Sequence, residues 1–96
     1  MNRGYWIIRA DVADAEKFSE YASRTPEAIK KYGGQFIVRA GRSEIVEGSS
    51  RTRNTVIQFP SYADALKCWH SIEYQSAKQY REGAAELDVV IIEGCL

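Results

Sequence analysis

His70 is the only histidine in this 96-residue chain. It is also the only side chain here whose unperturbed pKa lies near neutrality, so it is the natural candidate for a general acid or base. It follows Trp69 and precedes Ser71, at the expected junction of two helical segments. The plainer reading is a surface histidine near a helix C-terminus, where its charge complements the helix dipole. Arg39 is a cation inside an apolar stretch, Gln35-Phe36-Ile37-Val38-Arg39. A strand arginine can anchor a carboxylate or phosphate bidentately. It can equally pair with Glu44, Glu47 or Glu93 in an inter-strand or inter-subunit salt bridge. Strict alternation places Arg39 with Ile37 and Gln35 on one face, and Phe36, Val38 and Ala40 on the other. Glu47, just before Gly48, can serve as a base, an arginine partner or a solvated turn residue. Tyr32, Trp69 and Tyr74 can line an aromatic pocket or pack in the core with their polar tips at a wet edge. Arg81 follows Tyr74 by seven residues, which places its guanidinium on the same helical face as that phenol.

Other chemistries lack their residues. No Gly-x-Ser-x-Gly elbow is present, and Ser49-Ser50 has no partnered base. Gly33-Gly34 lacks the Lys-Ser/Thr that completes a phosphate loop. One histidine and two distant cysteines, Cys68 and Cys95, match no metal or redox spacing, so no metal is expected and the thiols read as reduced and unrelated. No cofactor motif is visible. Lys plus Arg and Asp plus Glu both number 13, giving zero net charge. Nucleic-acid binding and polybasic membrane contact both need a basic footprint that this balance does not supply. No apolar run approaches the ~20 residues of a membrane span, and Met1-Asn2-Arg3-Gly4 leads directly into a strand. A cytoplasmic protein is the simplest expectation.

The elements that must position these residues follow from pattern. Tyr5–Val12 reads as a first strand. Asp14 is the N-cap of a helix that runs to about Lys31, with Ala15, Phe18, Ala22, Ile29 and Tyr32 near one face. Pro26 should kink it or split it, with Thr25 as the cap of a second segment. Gly33-Gly34 ends the helix. Gln35–Ala40 reads as a second strand, extendable to Val46 across a bulge at Gly41. Gly48–Arg53 reads as a polar hairpin loop and Asn54–Phe59 as a third strand. Ser61 with Asp64 opens the next helix in the manner of a capping box. Ser71 caps another, from about Ile72 to Gly83, and Leu87–Glu93 is the last strand. The order is βαββαβ in a single domain, residues 1–96, which fits an α+β, ferredoxin-like, antiparallel sheet with helices on one face. A chain this long buries roughly 60–65% of its extended surface, enough for one modest core. The outer strands, Trp6-Ile7-Ile8 and Val89-Val90-Ile91-Ile92, are apolar on consecutive residues, as expected for burial on both faces. Helices cover one face, so a second copy of the chain is expected on the other. The same order occurs in RNA-recognition motifs, but the third strand, Asn54–Phe59, lacks their aromatic pair.

A finer signature runs along the chain. Tyr32-Gly33-Gly34, Arg39-Ala40-Gly41, Glu47-Gly48, Phe59-Pro60-Ser61, Trp69-His70-Ser71, Glu73-Tyr74-Gln75 and Arg81 together resemble the bacterial domain-of-unknown-function-1330 family over nearly the whole length. The departures are small: Ile72 stands where that family often has proline, and Ala40 where it often has glycine. The resemblance implies the dimeric α/β-barrel superfamily, in which two ferredoxin-like sheets pack face to face. That superfamily includes cofactor-free monooxygenases, muconolactone-type isomerases and haem-degrading enzymes. The family itself has no agreed activity.

The resulting expectation is a homodimer that binds a small molecule between sheet and helices, with no nucleic-acid or membrane partner. As an enzyme it would be a cofactor-independent oxygenase or isomerase acting on a small aromatic or keto-acid-like compound. His70 would be the acid/base, Arg39 the anion anchor and Tyr74 a hydrogen-bond donor, with Tyr32, Glu47, Trp69 and Arg81 around the ligand. The alternative is a non-catalytic structural, ligand-sensing or stress-related dimer.

Overall fold

The structure, a computed structural model, describes residues 2–96. Strand β1 (Gly4–Val12) is followed by helix α1 (Ala15–Lys31), β2 (Gln35–Arg39), β3 (Arg53–Phe59), α2 (Tyr62–Trp69), α3 (Ile72–Lys78), a 3₁₀ turn (Gln79–Arg81) and β4 (Ala85–Glu93). The four strands form one antiparallel sheet in the order β2-β3-β1-β4. Each helix starts where a side chain satisfies an orphan amide. The Asp14 carboxylate accepts from Lys17 N at 3.0 Å. The Ser61 hydroxyl accepts from Asp64 N at 3.0 Å and that of Ser71 from Tyr74 N at 3.1 Å. Gly33 leaves α1 at φ +80°, a conformation costly for other residues.

Helix α1 runs unbroken through Pro26, contrary to the expected split at Thr25. Proline removes the amide that would pair with the Ala22 carbonyl. The Thr25 hydroxyl, buried one residue earlier, donates to that carbonyl instead, at 3.3 Å. The polar cost of Pro26 is therefore met within the same turn.

The register fixes two faces. Trp6 lies opposite Ile57 and Ile91, Ile8 opposite Thr55 and Val89, and Ala10 opposite Arg53 and Leu87. These residues face the helices. Trp6, Phe59, Tyr74, Ile29 and Cys68 are fully buried there, and Trp6 Nε1 donates to the Ala65 carbonyl at 2.9 Å. The outer face carries Ile7 with Val56 and Val90, and Tyr5 with Gln58 and Ile92. No element among the described residues covers it: Val90 is 54% exposed, Ile92 50% and Val38 44%.

Strand β2 departs from the expected alternation. Phe36 pairs with Ile57, but Val38 pairs with Val56 and Arg39 with Thr55, so Ile37 is the extra residue of a bulge. The bulge lies at Ile37 rather than Gly41, and the strand stops at Arg39. Beyond the bulge the faces exchange. Val38 joins the outer face, and Arg39 joins Phe36 on the helix side, the reverse of the simple period-two reading.

Candidate functional site

A cavity of about 120 Å³ lies between α1 and the sheet. Its floor comes from alternate residues of the central strands, among them Trp6, Ile8 and Ile57. Helix α1 supplies the roof with Phe18, Tyr21, Ala22, Thr25 and Ile29, residues that the helical period brings to one side. Tyr74 of α3 closes the inner wall. Phe36, Arg39, Ala40 and Arg53 stand where the cavity meets solvent.

Two groups of polar atoms punctuate this apolar lining. The first is buried. Tyr21 and Tyr74 come from elements far apart in sequence, and their hydroxyl oxygens meet at 2.8 Å. The Tyr74 ring is held edge-on by Trp6, with centroids 4.8 Å apart, and is backed by Trp69 at 5.1 Å. Burial pushes the Tyr21 phenol far above its ordinary range, and the adjacent Tyr74 hydroxyl adds to this. The positive charge of Arg81 opposes it only in part, so Tyr21 stays neutral. The Arg81 guanidinium carbon lies 5.1 Å from the centroid of the Tyr21 ring. Arg81 Nε is buried and has no hydrogen-bond partner among the described residues.

The second group is at the mouth. Arg39 faces Thr55, and Arg53 lies two residues before Thr55 on the same strand and the same face. The two arginines are thus diagonal neighbours on adjacent strands, a relation that typically spans about 7–8 Å. Each is steadied by an aromatic ring. The guanidinium carbon of Arg39 sits 4.1 Å from the Phe36 centroid, and that of Arg53 5.5 Å from the Phe18 centroid. Neither forms an ion pair among the described residues. Within the chain, Arg39 is therefore not paired with Glu44, Glu47 or Glu93.

The sequence-derived candidates divide. Arg39 and Tyr74 share the cavity. Arg81 reaches it indirectly, through Tyr21. Trp69 packs behind Tyr74 and 5.5 Å from Trp6, outside the lining. Tyr32 is turned away: its hydroxyl donates to Glu73 at 3.1 Å, beside a Lys31–Glu73 ion pair. Glu47 is exposed in the long loop after β2, beside a shallow depression with Arg9, Arg51 and Asp88. His70 is exposed at the α2–α3 junction, where its amide donates to the Leu66 carbonyl. It borders none of these cavities, so the acid/base role expected of it has no geometric support. The pattern that ends α2 fixes its backbone and leaves its ring in water.

Tyr21 and Arg53 line the cavity and are not among the sequence candidates. Tyr21 lies one turn from Phe18 and Thr25 on the apolar stripe of α1, a signal that could have singled it out. The sequence pattern places Arg53 in the loop Gly48–Arg53. One further residue of β3, with Ile57 and Thr55 inward, carries it to the cavity face. Nearby Arg51 has a different task. It binds Asp88 at 2.8 Å, Asp11 at 3.0 Å and Glu86 at 3.3 Å, tying the loop to β1 and β4. Cys68 donates to the Ala28 carbonyl in the core, and burial pushes its thiol up to about 12, so it is not a nucleophile. No group of three or more His, Cys, Asp or Glu placed to hold a metal occurs among the described residues. No described helix is long and apolar enough to cross a membrane.

The chain belongs to the DUF1330 family, a domain of unknown function, whose model matches residues 3–95. No curated protein matches it. Among solved structures it resembles a protein of unknown function from Rhodopseudomonas palustris, with 13% identity, a TM-score of 0.76, and coverage of 95% of this chain and 81% of the other. It also resembles SnoaB, a cofactor-independent oxygenase from Streptomyces nogalater, at 10% identity and a TM-score of 0.65, covering 96% and 92% of the two chains. A third likeness is to an ethyl tert-butyl ether degradation (EthD) family protein from Bacillus halodurans, at 13% identity and a TM-score of 0.56, covering 96% and 97%. At these identities the likeness shows the fold, which is the ferredoxin-like α+β fold of the dimeric α/β-barrel proteins.

Proposed function

We propose that the protein is a homodimer that binds a compact anionic molecule, about one ring in size, in the cavity beneath α1. The observation that carries this reading is the pairing of an apolar, ring-sized cavity with two unpaired arginines at its mouth. An engineered apolar cavity of about 150 Å³ accepts benzene in another protein, so about 120 Å³ suits one ring whose charged group remains at the mouth. Larger ligands need roughly 300–1,000 Å³. The second subunit would cover the outer sheet face, where Ile7, Val38, Val56, Val90 and Ile92 form an apolar patch that a lone chain leaves in water.

A catalytic reading has one specific support beyond the fold shared with SnoaB. Tyr21 and Tyr74 place a neutral hydrogen-bond donor inside a water-poor cavity, where a developing oxyanion is stabilised most. The lining holds no carboxylate, imidazole, thiol or amine. A protein base is therefore missing, and oxygenation of an already electron-rich ligand fits better than hydrolysis or an isomerisation that begins with proton abstraction.

Binding is tested by thermal shift and calorimetry with monocyclic carboxylates, comparing the natural chain with Ala22→Leu, which fills the cavity roof. Ligand at 100 times its Kd should stabilise by about 2.7 kcal/mol. The leucine variant should fold and lose the effect. Undiminished binding to Ala22→Leu would place the ligand elsewhere.

A further inference from the structure

The hydroxyl pair deep in the cavity has a direction. A tyrosine hydroxyl has one proton to give and can accept, whereas arginine only donates. The Arg81 guanidinium carbon lies 5.1 Å from the Tyr21 ring centroid, and its buried Nε has no hydrogen-bond partner among the described residues. The two tyrosine oxygens lie 2.8 Å apart, and either can be the donor. The orientation that turns the Tyr21 lone pairs toward the Arg81 charge has Tyr21 donating to Tyr74, which then keeps its own proton for a third group. Tyr74 is 1% exposed and lines the cavity, so that third group is the ligand. The inner end of the cavity thus offers a donor and calls for an acceptor oxygen that is not a hydroxyl proton source. The outer end offers two guanidinium groups and calls for an anion. Apolar surface from Trp6, Ile8 and Ile57 lies between.

We propose that the cavity recognises a monocyclic keto acid end to end, with Arg39 and Arg53 holding the carboxylate and Tyr74 donating a hydrogen bond to the ring carbonyl. Tyr21 and Arg81 are positioning residues that set the direction of that donor. The proposal rests on the cavity being the ligand site and adds which ligand it selects.

Three probes separate the two ends: 4-oxocyclohexanecarboxylate carries both groups, cyclohexanecarboxylate lacks the carbonyl, and cyclohexanone lacks the carboxylate. Calorimetry at pH 7 on the natural homodimer should show the keto acid binding at least tenfold more tightly than either single-ended probe. Tyr74→Phe should erase its advantage over cyclohexanecarboxylate. Arg39→Gln combined with Arg53→Gln should erase its advantage over cyclohexanone. Arg81→Met lies outside the lining; it should reduce the carbonyl preference while leaving cyclohexanecarboxylate binding unchanged, and Arg81→Lys should restore part of it. Equal binding of the keto acid and a single-ended probe would overturn the proposal while leaving the cavity reading intact. Failure of all three probes would overturn both. A carbonyl preference unaffected by Arg81→Met would remove Arg81 from the arrangement.

Discussion

Removing the two cavity hydroxyls singly and together should give sharply non-additive losses of stability. Tyr21 and Tyr74 are both buried, and each hydroxyl's close side-chain partner is the other. Tyr74→Phe deletes one hydrogen bond, a net loss of about 0.5–1.5 kcal/mol, and leaves the Tyr21 hydroxyl under-satisfied in a dry site, which costs up to about 1–3 kcal/mol. Arg81 and the cavity offset part of that penalty, so about 1–2 kcal/mol is expected. Tyr21→Phe should cost a similar amount. It also takes from Arg81 the oxygen that its charge faces. The double variant loses both hydroxyls but strands neither, so the second replacement adds little to the cost of the first. It should lie about 1–2 kcal/mol below the natural protein, not 2–4. The coupling is then about 1–2 kcal/mol, within the range for side chains in direct contact. Urea unfolding followed by circular dichroism measures it, with protein concentration held constant because self-association would make stability depend on it. In a domain this small each kcal/mol moves Tm by roughly 4–8 °C, so the three variants are easily resolved. Strict additivity would mean that the two hydroxyls do not exchange a hydrogen bond. The directional argument for Tyr74 would then fail with it.

Other outcomes follow from separate parts of the molecule. Ile7→Glu places a charge at the centre of the outer apolar face, between Val56 and Val90, and should convert a dimer to monomer or unfold it; a natural chain that is monomeric by light scattering at micromolar concentration would refute the dimer. Ala40 holds φ +50°, so Ala40→Gly should raise stability by about 0.5–1 kcal/mol in thermal melts, and a loss would contradict the strain. Hydrogen bonds from Thr52 N and Arg51 hold Asp11 below its ordinary value of 3.8, and Lys31 and Tyr32 hold Glu73 below 4.5. Because both folded-state values are depressed, their stabilisation is complete above the ordinary carboxylate values and is lost as pH falls below them through the depressed ones; Arg51→Met should flatten that acid limb. His70→Gln should change stability by less than about 0.5 kcal/mol and leave keto-acid binding untouched, and a large loss of binding would return His70 to the site.

The sequence carries most of the scaffold because its signals are local. Asp14, Ser61 and Ser71 each cap the helix that follows, and Gly33 ends α1, as side-chain and backbone chemistry dictates at single positions. What pattern missed depends on partners distant in sequence. Pro26 argues for a break until Thr25 is seen to take over the Ala22 carbonyl. Tyr21 reads as one more aromatic on an amphipathic helix until α3 brings Tyr74 against it. His70 looks reactive from its chemistry alone, yet the turn between α2 and α3 leaves it in solvent. Arg53 reads as loop until β1 brings Ala10 opposite it, and that one further pair carries its guanidinium to the cavity.

The bulge at Ile37 connects the two surfaces on which the functional reading depends. Without it, alternation from Phe36 would carry Val38 inward and Arg39 outward. Arg39 would then lie on the face that holds Val56 and Val90, and a charge there would oppose burial against a second subunit. The cavity mouth would have a valine beside a lone Arg53. The extra residue reverses both placements at once. Val38 extends the apolar outer face opposite Val56, and Arg39 moves to the cavity mouth, diagonal to Arg53. Deleting Ile37 removes the extra residue and leaves Phe36, Val38 and Arg39 in regular alternation, with Val38 still opposite Val56 and Arg39 still opposite Thr55. The deletion variant should therefore keep anion binding, read by calorimetry, and self-association, read by light scattering. A folded deletion variant that loses both would mean that the register does not set these faces.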